Sequence, residues 1–380
     1  MHVCIVAENH AKARMAGAEY QTLLLTEELA RRTDVRVTYV ARRLPKGADA
    51  EDLPYALRRI GSDIGIRERA VFFDAGDLMR TLRELRPDVI YQQCRQSYTA
   101  VCAHYARQAS IPFFFHIAHD FDLNYRWLTL KLSSNTPFDA VECFTGIWGL
   151  RHASHIIVQT NRQRTVLKER WRRDAAAVIR NFQPLPASLP VKPPGPLKIF
   201  WVANLKDWKR PGLFVDLAET FAGRTDLEFI MAGRPSAERR LKSTMRKIPQ
   251  VPNLKYLGEL PIERVNDLMC EAAVHVNTST FEGFPNTFLQ AWARGAIVAT
   301  LAVDPDEETM ESLGVGYCAG TLRRLHDFID QLSRSPERRQ KLMKGAFAFV
   351  HDQHSMAQGV RLADLIVEAG GKTRVAASRT

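Results

Sequence analysis

Six prolines crowd the stretch QPLPASLPVKPPGP (183–196). Each proline ring fixes φ and removes a backbone donor, so this stretch is neither a helix nor an inner strand. It reads as a linker, and the same pattern occupies the chain on both sides of it. Before it, HVCIVAE and VRVTYVAR are apolar, β-branched runs separated by EYQTLLLTEELARR, whose apolar residues recur at helical spacing. LMRTLRELRPDVIYQQ, AVCAHYARQASIPFFFHIAH and LRHASHIIVQT each continue as helix then strand. After it come LKIFWVAN, GLFVDLAETFAG, LEFIMAG, AERRLKSTMRKI, LKYLGEL, ERVNDLMCEA, AVHVNTS and AIVAT. Strand and helix alternating in this way predict parallel sheets covered on both faces. The expected fold class is therefore α/β, with two Rossmann-like, doubly wound domains facing a central cleft. The expected boundaries are 1–183, a linker at 184–196, 197–350, a C-terminal helix at 351–370 crossing back toward the first domain, and a tail at 371–380.

The opening MHVCIVAENH lacks a basic, long-apolar leader, and no run approaches the length needed to cross a bilayer. A cytoplasmic protein is expected, with the inner membrane face as a place it can touch. The six cysteines are scattered without C-x-x-C pairs or zinc-finger spacing, which predicts reduced, mostly buried thiols. Net charge is +11 and leans toward the first half. A basic face suits nucleic acid, an anionic membrane or a phosphorylated ligand, and composition does not separate the three, although no nucleic-acid motif accompanies it. RQRTVLKERWRRD (162–174) reads as a solvated helix face, and NYRWLTLKL (124–132) as a membrane-facing segment or, at Trp127, as core.

Ligands of open parallel sheets bind at the carboxyl ends of the strands, and polar motifs cluster at those turns. STFEGFPNTFLQAWARG (279–295) places Glu282 in a Gly/Pro turn ahead of a helix. Pro285 stands near its first position, Asn286 or Thr287 is placed to cap it, and Gln290 lies one turn beyond Asn286. Free N–H groups at such a helix start suit phosphate oxygens, Gln290 a diol, and Glu282 a further polar group. WVANLKDWKRP (201–211) offers Lys206, Lys209 and Arg210 to a diphosphate. Gly17, in MAGAEYQ, reads as a simple turn glycine or as one that lets the backbone come close to a ligand, and the lack of a G-x-G-x-x-G fingerprint weighs against a dinucleotide enzyme. His119 ends the strand FFFHIAH at the same edge, whereas His116 within the apolar run reads as core.

In this order, AGAEYQTLLLTEELARR, the His119-Asp120 pair, IRNFQP, WVANLKDWKRP, IMAGRP, NLKYLGEL and above all EGFPNTFLQAWARG resemble retaining glycosyltransferase family 4, enzymes of the GT-B fold. The resemblance implies that Lys209 grips the donor diphosphate and that Glu282, first acid of an E-x7-E motif, touches the donor sugar. It implies that the backbone from Gly283 and Phe284 through Pro285, Asn286, Thr287 and Phe288 holds sugar and phosphate oxygens. Gly17 would lie under the diphosphate, His119 would contact the transferred sugar, and Gly233 and Leu257 would surround the nucleobase. The chain departs from the family pattern at Gln290, which replaces the second acid, at Ala203-Asn204, where many members have Gly-Arg, and at Ala16-Gly17. Asn204 and Arg210 are kept among the donor-binding candidates.

The expected function is transfer of a sugar from a UDP- or GDP-linked donor to a lipid-linked or saccharide acceptor with retention, in envelope polysaccharide or glycolipid synthesis. No metal is expected; the expected partners are the donor, the acceptor and an anionic membrane surface, with no nucleic acid. The alternatives are a nucleotide-sugar epimerase on the same plan and a non-catalytic basic binding protein. A pure binding protein of that kind would ignore UDP and GDP.

Overall fold

The structure, a computed structural model, describes residues 1–47, 52–62, 70–124, 136–235, 241–304 and 310–377. The segment read as membrane-facing or core, with Trp127, lies outside these residues beyond Asn124. The chain divides into two compact units, Met1–Gln183 with Met356–Thr380, and Pro184–Ser355.

Unit 1 runs β1 (His2–Asn9), α1 (Gly17–Ala30), β2 (Arg36–Arg43), β3 (Ala56–Arg59), α2 (Ala75–Leu85), β4 (Val89–Gln93), α3 (Ser97–Ala109), β5 (Phe113–His116), α4 (Thr136–His152), β6 (His155–Val158), α5 (Asn161–Trp171) and β7 (Ala177–Val178). Its strands pair in parallel in the order β3-β2-β1-β4-β5-β6-β7. The inner strands are buried along their length, as continuous apolar runs require. The edge strand β3 has no such run: ALRR is mostly exposed, and its sequence carries no strand signal.

Unit 2 runs β8 (Leu197–Val202), α6 (Pro211–Thr220), β9 (Leu227–Ala232), α7 (Lys242–Lys247), β10 (Leu254–Tyr256), α8 (Ile262–Glu271), β11 (Val274–Asn277), α9 (Asn286–Ala293), β12 (Ile297–Thr300), β13 (Gly316–Cys318), α10 (Leu322–Arg334) and α11 (Pro336–Gln353). The strand order is β10-β9-β8-β11-β12-β13, again parallel throughout. Each sheet reverses direction once, at β1/β4 in unit 1 and at β8/β11 in unit 2. A crevice opens at the carboxyl end of such a reversal, where successive loops leave to opposite sides.

The last helix, α12 (Ala357–Ala377), starts later than the expected 351 because α11 continues to Gln353. It runs on through residues read from the sequence as tail. Its Leu362, Ala363 and Ile366 join the core that holds Leu25 and Leu29 of α1, and Arg32 pairs with Asp364 at 2.8 Å. Two consecutive glycines do not stop it, because tertiary packing outweighs propensity there. A Cβ at Gly370 would meet Met1 Sδ at 2.5 Å and Val89 Cγ2 at 2.6 Å, so only the bare backbone lies this close to β4. Of the six cysteines, all free, Cys4 and Cys102 are fully buried and the other four are half-buried. In α5 the basic run is solvated as expected, with Gln163, Leu167 and Trp171 turned inward. No helix among the described residues is long and apolar enough to cross a membrane.

Candidate active site

The reversal in unit 2 brings together two loops far apart in sequence. The loop after β8 exposes Asn204, forms a 3-10 turn over Asp207–Lys209 and enters α6 through Arg210 and Pro211. The loop after β11 carries Thr278, Ser279, Thr280, Phe281 and Glu282 into α9. Hydrogen bonds sew them together. Trp201 Nε1 donates to Thr278 Oγ1 at 3.0 Å, Thr278 Oγ1 donates to the Lys209 carbonyl at 2.7 Å, and Thr280 N donates to the Trp208 carbonyl at 2.9 Å. Arg210, at φ 48°, donates Nε to the Thr278 carbonyl at 2.6 Å and Nη2 to the Ser279 carbonyl at 3.0 Å. Its guanidinium thus braces the second loop, a role the sequence does not advertise.

This brace sets Lys209 Nζ against Glu282 Oε1 in an ion pair whose side chains are 17% and 9% exposed. Ser279 Oγ donates to the same carboxylate oxygen at 2.7 Å. Burial pushes the Lys209 ammonium below the usual lysine range, the Glu282 charge opposes that shift, and Lys206 adds to it. Lys209 Nζ also lies 4.1 Å from the centroid of Trp208, whose ring stacks on Phe281 at 5.1 Å and 6°. An acid and a base held this close, at the edge of a parallel sheet, are equipped to bind a ligand carrying both anionic and hydroxyl groups.

The helix after Glu282 starts as expected, with one correction. Pro285 is the residue flanking α9 and no side chain caps it; Asn286 and Thr287 are its first helical residues rather than its cap. Proline at the flank leaves the first-turn N–H groups to other acceptors, although Phe288 N folds back to the Pro285 carbonyl at 3.0 Å. Gly283, Phe284 and Phe288 are buried. Phe284 packs against Trp292 and His354, and Phe288 against Trp292, so the contribution these positions can make to a ligand is backbone. Gln290 is 7% exposed and donates Nε2 to Asn266 Oδ1 of α8 at 3.1 Å. Gly233, at φ 145°, donates its N–H to the Gly258 carbonyl at 2.7 Å, and Leu257 is 42% exposed beside it.

In unit 1, Gly17 is the exposed first residue of α1. Two residues on, Glu19 accepts from Asn9 Nδ2 at 3.1 Å, and burial pushes its carboxyl up. Arg43 donates to Glu8 at 2.9 Å and to Asn9 at 3.1 Å, completing a polar cluster at the β1/β2 edge that the sequence reading did not single out. His119 is half-buried ahead of a 3-10 turn at Asp120–Leu123. Its Nδ1 accepts from Phe121 N at 3.2 Å, so the ring carries its proton on Nε2, and it stacks on Phe121 at 4.7 Å and 8°. His116 is core as expected: its Nδ1 bonds the Tyr91 hydroxyl at 2.8 Å, and burial pushes it down to about 3. Among the described residues, no group of three or more His, Cys, Asp or Glu is placed to hold a metal ion.

Two family models match the chain: "Glycosyltransferase Family 4" over residues 15–183 and "Glycosyl transferases group 1" over residues 196–334. The chain is a GT-B glycosyltransferase. Solved structures agree on the fold. Sucrose-phosphate synthase from Thermosynechococcus elongatus is 15% identical at a TM-score of 0.76, with 97% of this chain and 98% of that one covered. Anabaena HepE, solved with UDP and glucose, is 15% identical at a TM-score of 0.72, covering 97% and 100%. WaaG, described as a glycosyltransferase involved in lipopolysaccharide biosynthesis, is 12% identical at a TM-score of 0.72, covering 96% and 99%. No curated protein sequence matches the chain. The residues around the Lys209–Glu282 pair that the sequence does not single out are Trp208, Phe281 and Ser279. Only Ser279, three residues before Glu282, left a local signal; the two aromatics look in sequence like core.

Proposed function

We propose that this glycosyltransferase moves a glycosyl group from a UDP- or GDP-linked sugar to an acceptor hydroxyl with retention at the anomeric carbon, in envelope polysaccharide or glycolipid synthesis. The observation that carries the reading is the Lys209–Glu282 pair at the sheet reversal of unit 2, beside the amino end of α9. The complexes of HepE with UDP and glucose and with UDP-glucose support a nucleotide-sugar donor.

In this proposal unit 2 binds the donor. Lys209 and the first N–H groups of α9 take up charge on the departing diphosphate, which is the main catalytic term when leaving-group charge develops away from water. Glu282 accepts hydrogen bonds from the sugar hydroxyls, and Gly233 and Leu257 border the base. The bond from the anomeric carbon to the diphosphate breaks, a bond to the acceptor oxygen forms on the same face, and the acceptor proton passes to a leaving phosphate oxygen. Gln290 carries no carboxylate to act as nucleophile, which disfavours a covalent double displacement through that position. The acceptor is assigned to unit 1.

Incubation with a panel of UDP- and GDP-sugars, reading released nucleoside diphosphate and the anomeric configuration of the product, tests the reading. One donor class is expected to turn over, and Lys209→Ala and Glu282→Ala each to cut transfer strongly without unfolding the protein. Undiminished turnover in both variants refutes the site. Contact with an anionic membrane is supported by the net charge of +11 and by Val141, Phe144 and Trp148, which α4 exposes at 40%, 56% and 38%. Failure of the protein to float with anionic vesicles refutes that part alone.

A further inference from the structure

If Lys209 grips a donor diphosphate and Glu282 binds the donor sugar, as proposed above, the bond between them loosens as each side chain takes its own part of the donor. Each half of that pair has a claim from a different part of one donor molecule: phosphate for the ammonium, hydroxyls for the carboxylate. During the exchange a largely buried ammonium loses its counter-charge, which is unfavourable unless something else holds it. The two loops supply a candidate through a matched pair of dipeptides, Trp208-Lys209 and Phe281-Glu282. Trp208 stacks on Phe281 while Lys209 pairs with Glu282.

We infer that Trp208 is a positioning residue, whose indole face keeps the Lys209 ammonium at the diphosphate position while Glu282 turns to the sugar. The ammonium lies 4.1 Å from the ring centroid, within the range where the ring quadrupole attracts a cation. An aromatic face suits the exchange better than a second acid. It attracts the cation without a directional bond, so the lysine can swing, and it adds no negative charge to repel phosphate. The platform is itself held by the second loop. The Trp208 carbonyl accepts from Thr280 N at 2.9 Å, and Phe281 lies parallel to the ring.

The test is a cycle of variants, Trp208→Leu, Trp208→Phe, Lys209→Ala and each Trp208 change combined with Lys209→Ala, titrated with UDP and with GDP by calorimetry. Trp208→Leu is expected to weaken nucleotide binding about three- to thirty-fold, from the usual strength of a partly desolvated cation–π contact. Trp208→Phe should recover most of that loss. In the Lys209→Ala background Trp208→Leu should change affinity by less than about twofold, because the ring then has no cation to hold. Full additivity in the double variant, or wild-type affinity in Trp208→Leu, overturns the inference while leaving the donor reading intact. If the leucine variant does not fold, the phenylalanine pair closes the same cycle at smaller amplitude. Should the unaltered protein bind neither UDP nor GDP, the donor reading falls, and this inference with it.

Discussion

Replacing Glu282 by glutamine separates two quantities that a general disruption of the site would move together. The amide keeps the shape of the side chain and removes the charge that now occupies Lys209. Both side chains are shielded, at 17% and 9% exposure, so the charge is only partly screened. At an effective dielectric of about 20, a unit negative charge about 5 Å from one phosphate charge repels it by roughly 3 kcal/mol. Weakened by solvent and by the amide's own hydrogen bonds, about 1–2 kcal/mol should remain. Glu282→Gln is therefore expected to bind UDP or GDP about five- to thirtyfold more tightly than the wild type. Turnover should move the other way. Hydrogen bonds from sugar hydroxyls to a charged acceptor are worth about 1.5–3 kcal/mol, so sugar transfer should fall roughly ten- to a hundredfold. Calorimetry at fixed ionic strength measures the first effect, and release of nucleoside diphosphate from the nucleotide-sugar measures the second. Weaker nucleotide binding in Glu282→Gln, comparable to that of Lys209→Ala, refutes the idea that the carboxylate competes with phosphate for the lysine.

Gly233→Ala should abolish folding of unit 2 or cost it more than about 3 kcal/mol, because at φ 145° its Cβ would stand 1.7 Å from the Ala203 carbonyl oxygen; an unchanged melting temperature refutes this. Arg42 and Asp74 form an ion pair 1% and 0% exposed, with Tyr98 donating to the same carboxylate at 2.6 Å. Arg42→Ala should cost about 3–5 kcal/mol by stranding Asp74, and Arg42→Met with Asp74→Leu should recover much of it in denaturant titration. Buried His275, in β11, is pushed down to about 4 by desolvation. The unfolded chain therefore binds its proton first as pH falls below 6.5, and between pH 7.5 and 5 stability should drop by about 2 kcal/mol from this ring. His275→Asn should remove that share of the slope in thermal unfolding, and an unaltered slope refutes the assignment.

The layered architecture was legible because buried parallel strands are continuous apolar runs, and the proline-rich stretch interrupts them plainly. The strand β3 was not, since an exposed edge can be built from ALRR without any pattern. Nor was the length of α12, whose paired glycines argue locally for a stop while packing on unit 1 carries the helix through them. Within the site, Glu282 and Lys209 were readable as charged residues in turns. Their contact was not, because it depends on which strands become neighbours. The task of Arg210 was hidden for a related reason: a guanidinium that fastens two carbonyls looks in sequence like one waiting for phosphate.

Strand adjacency also explains how the chain tolerates glutamine at position 290. β8 and β11 pair directly, so the loops that follow them leave the sheet side by side and must face one another. That constraint acts on Lys209 and Glu282, which sit in the loops, and not on Gln290, which lies farther along α9 with its amide bonded to Asn266 of α8. At 7% exposure a carboxylate at 290 would need a cation or a proton to offset its burial, whereas an amide facing an amide needs neither. Glutamine at 290 adds no charge to the helix, and the Lys209–Glu282 pair is electrically matched without one. On the function proposed above, glutamine at 290 would bind a donor hydroxyl as an amide and leave the Lys209–Glu282 pair to meet the diphosphate.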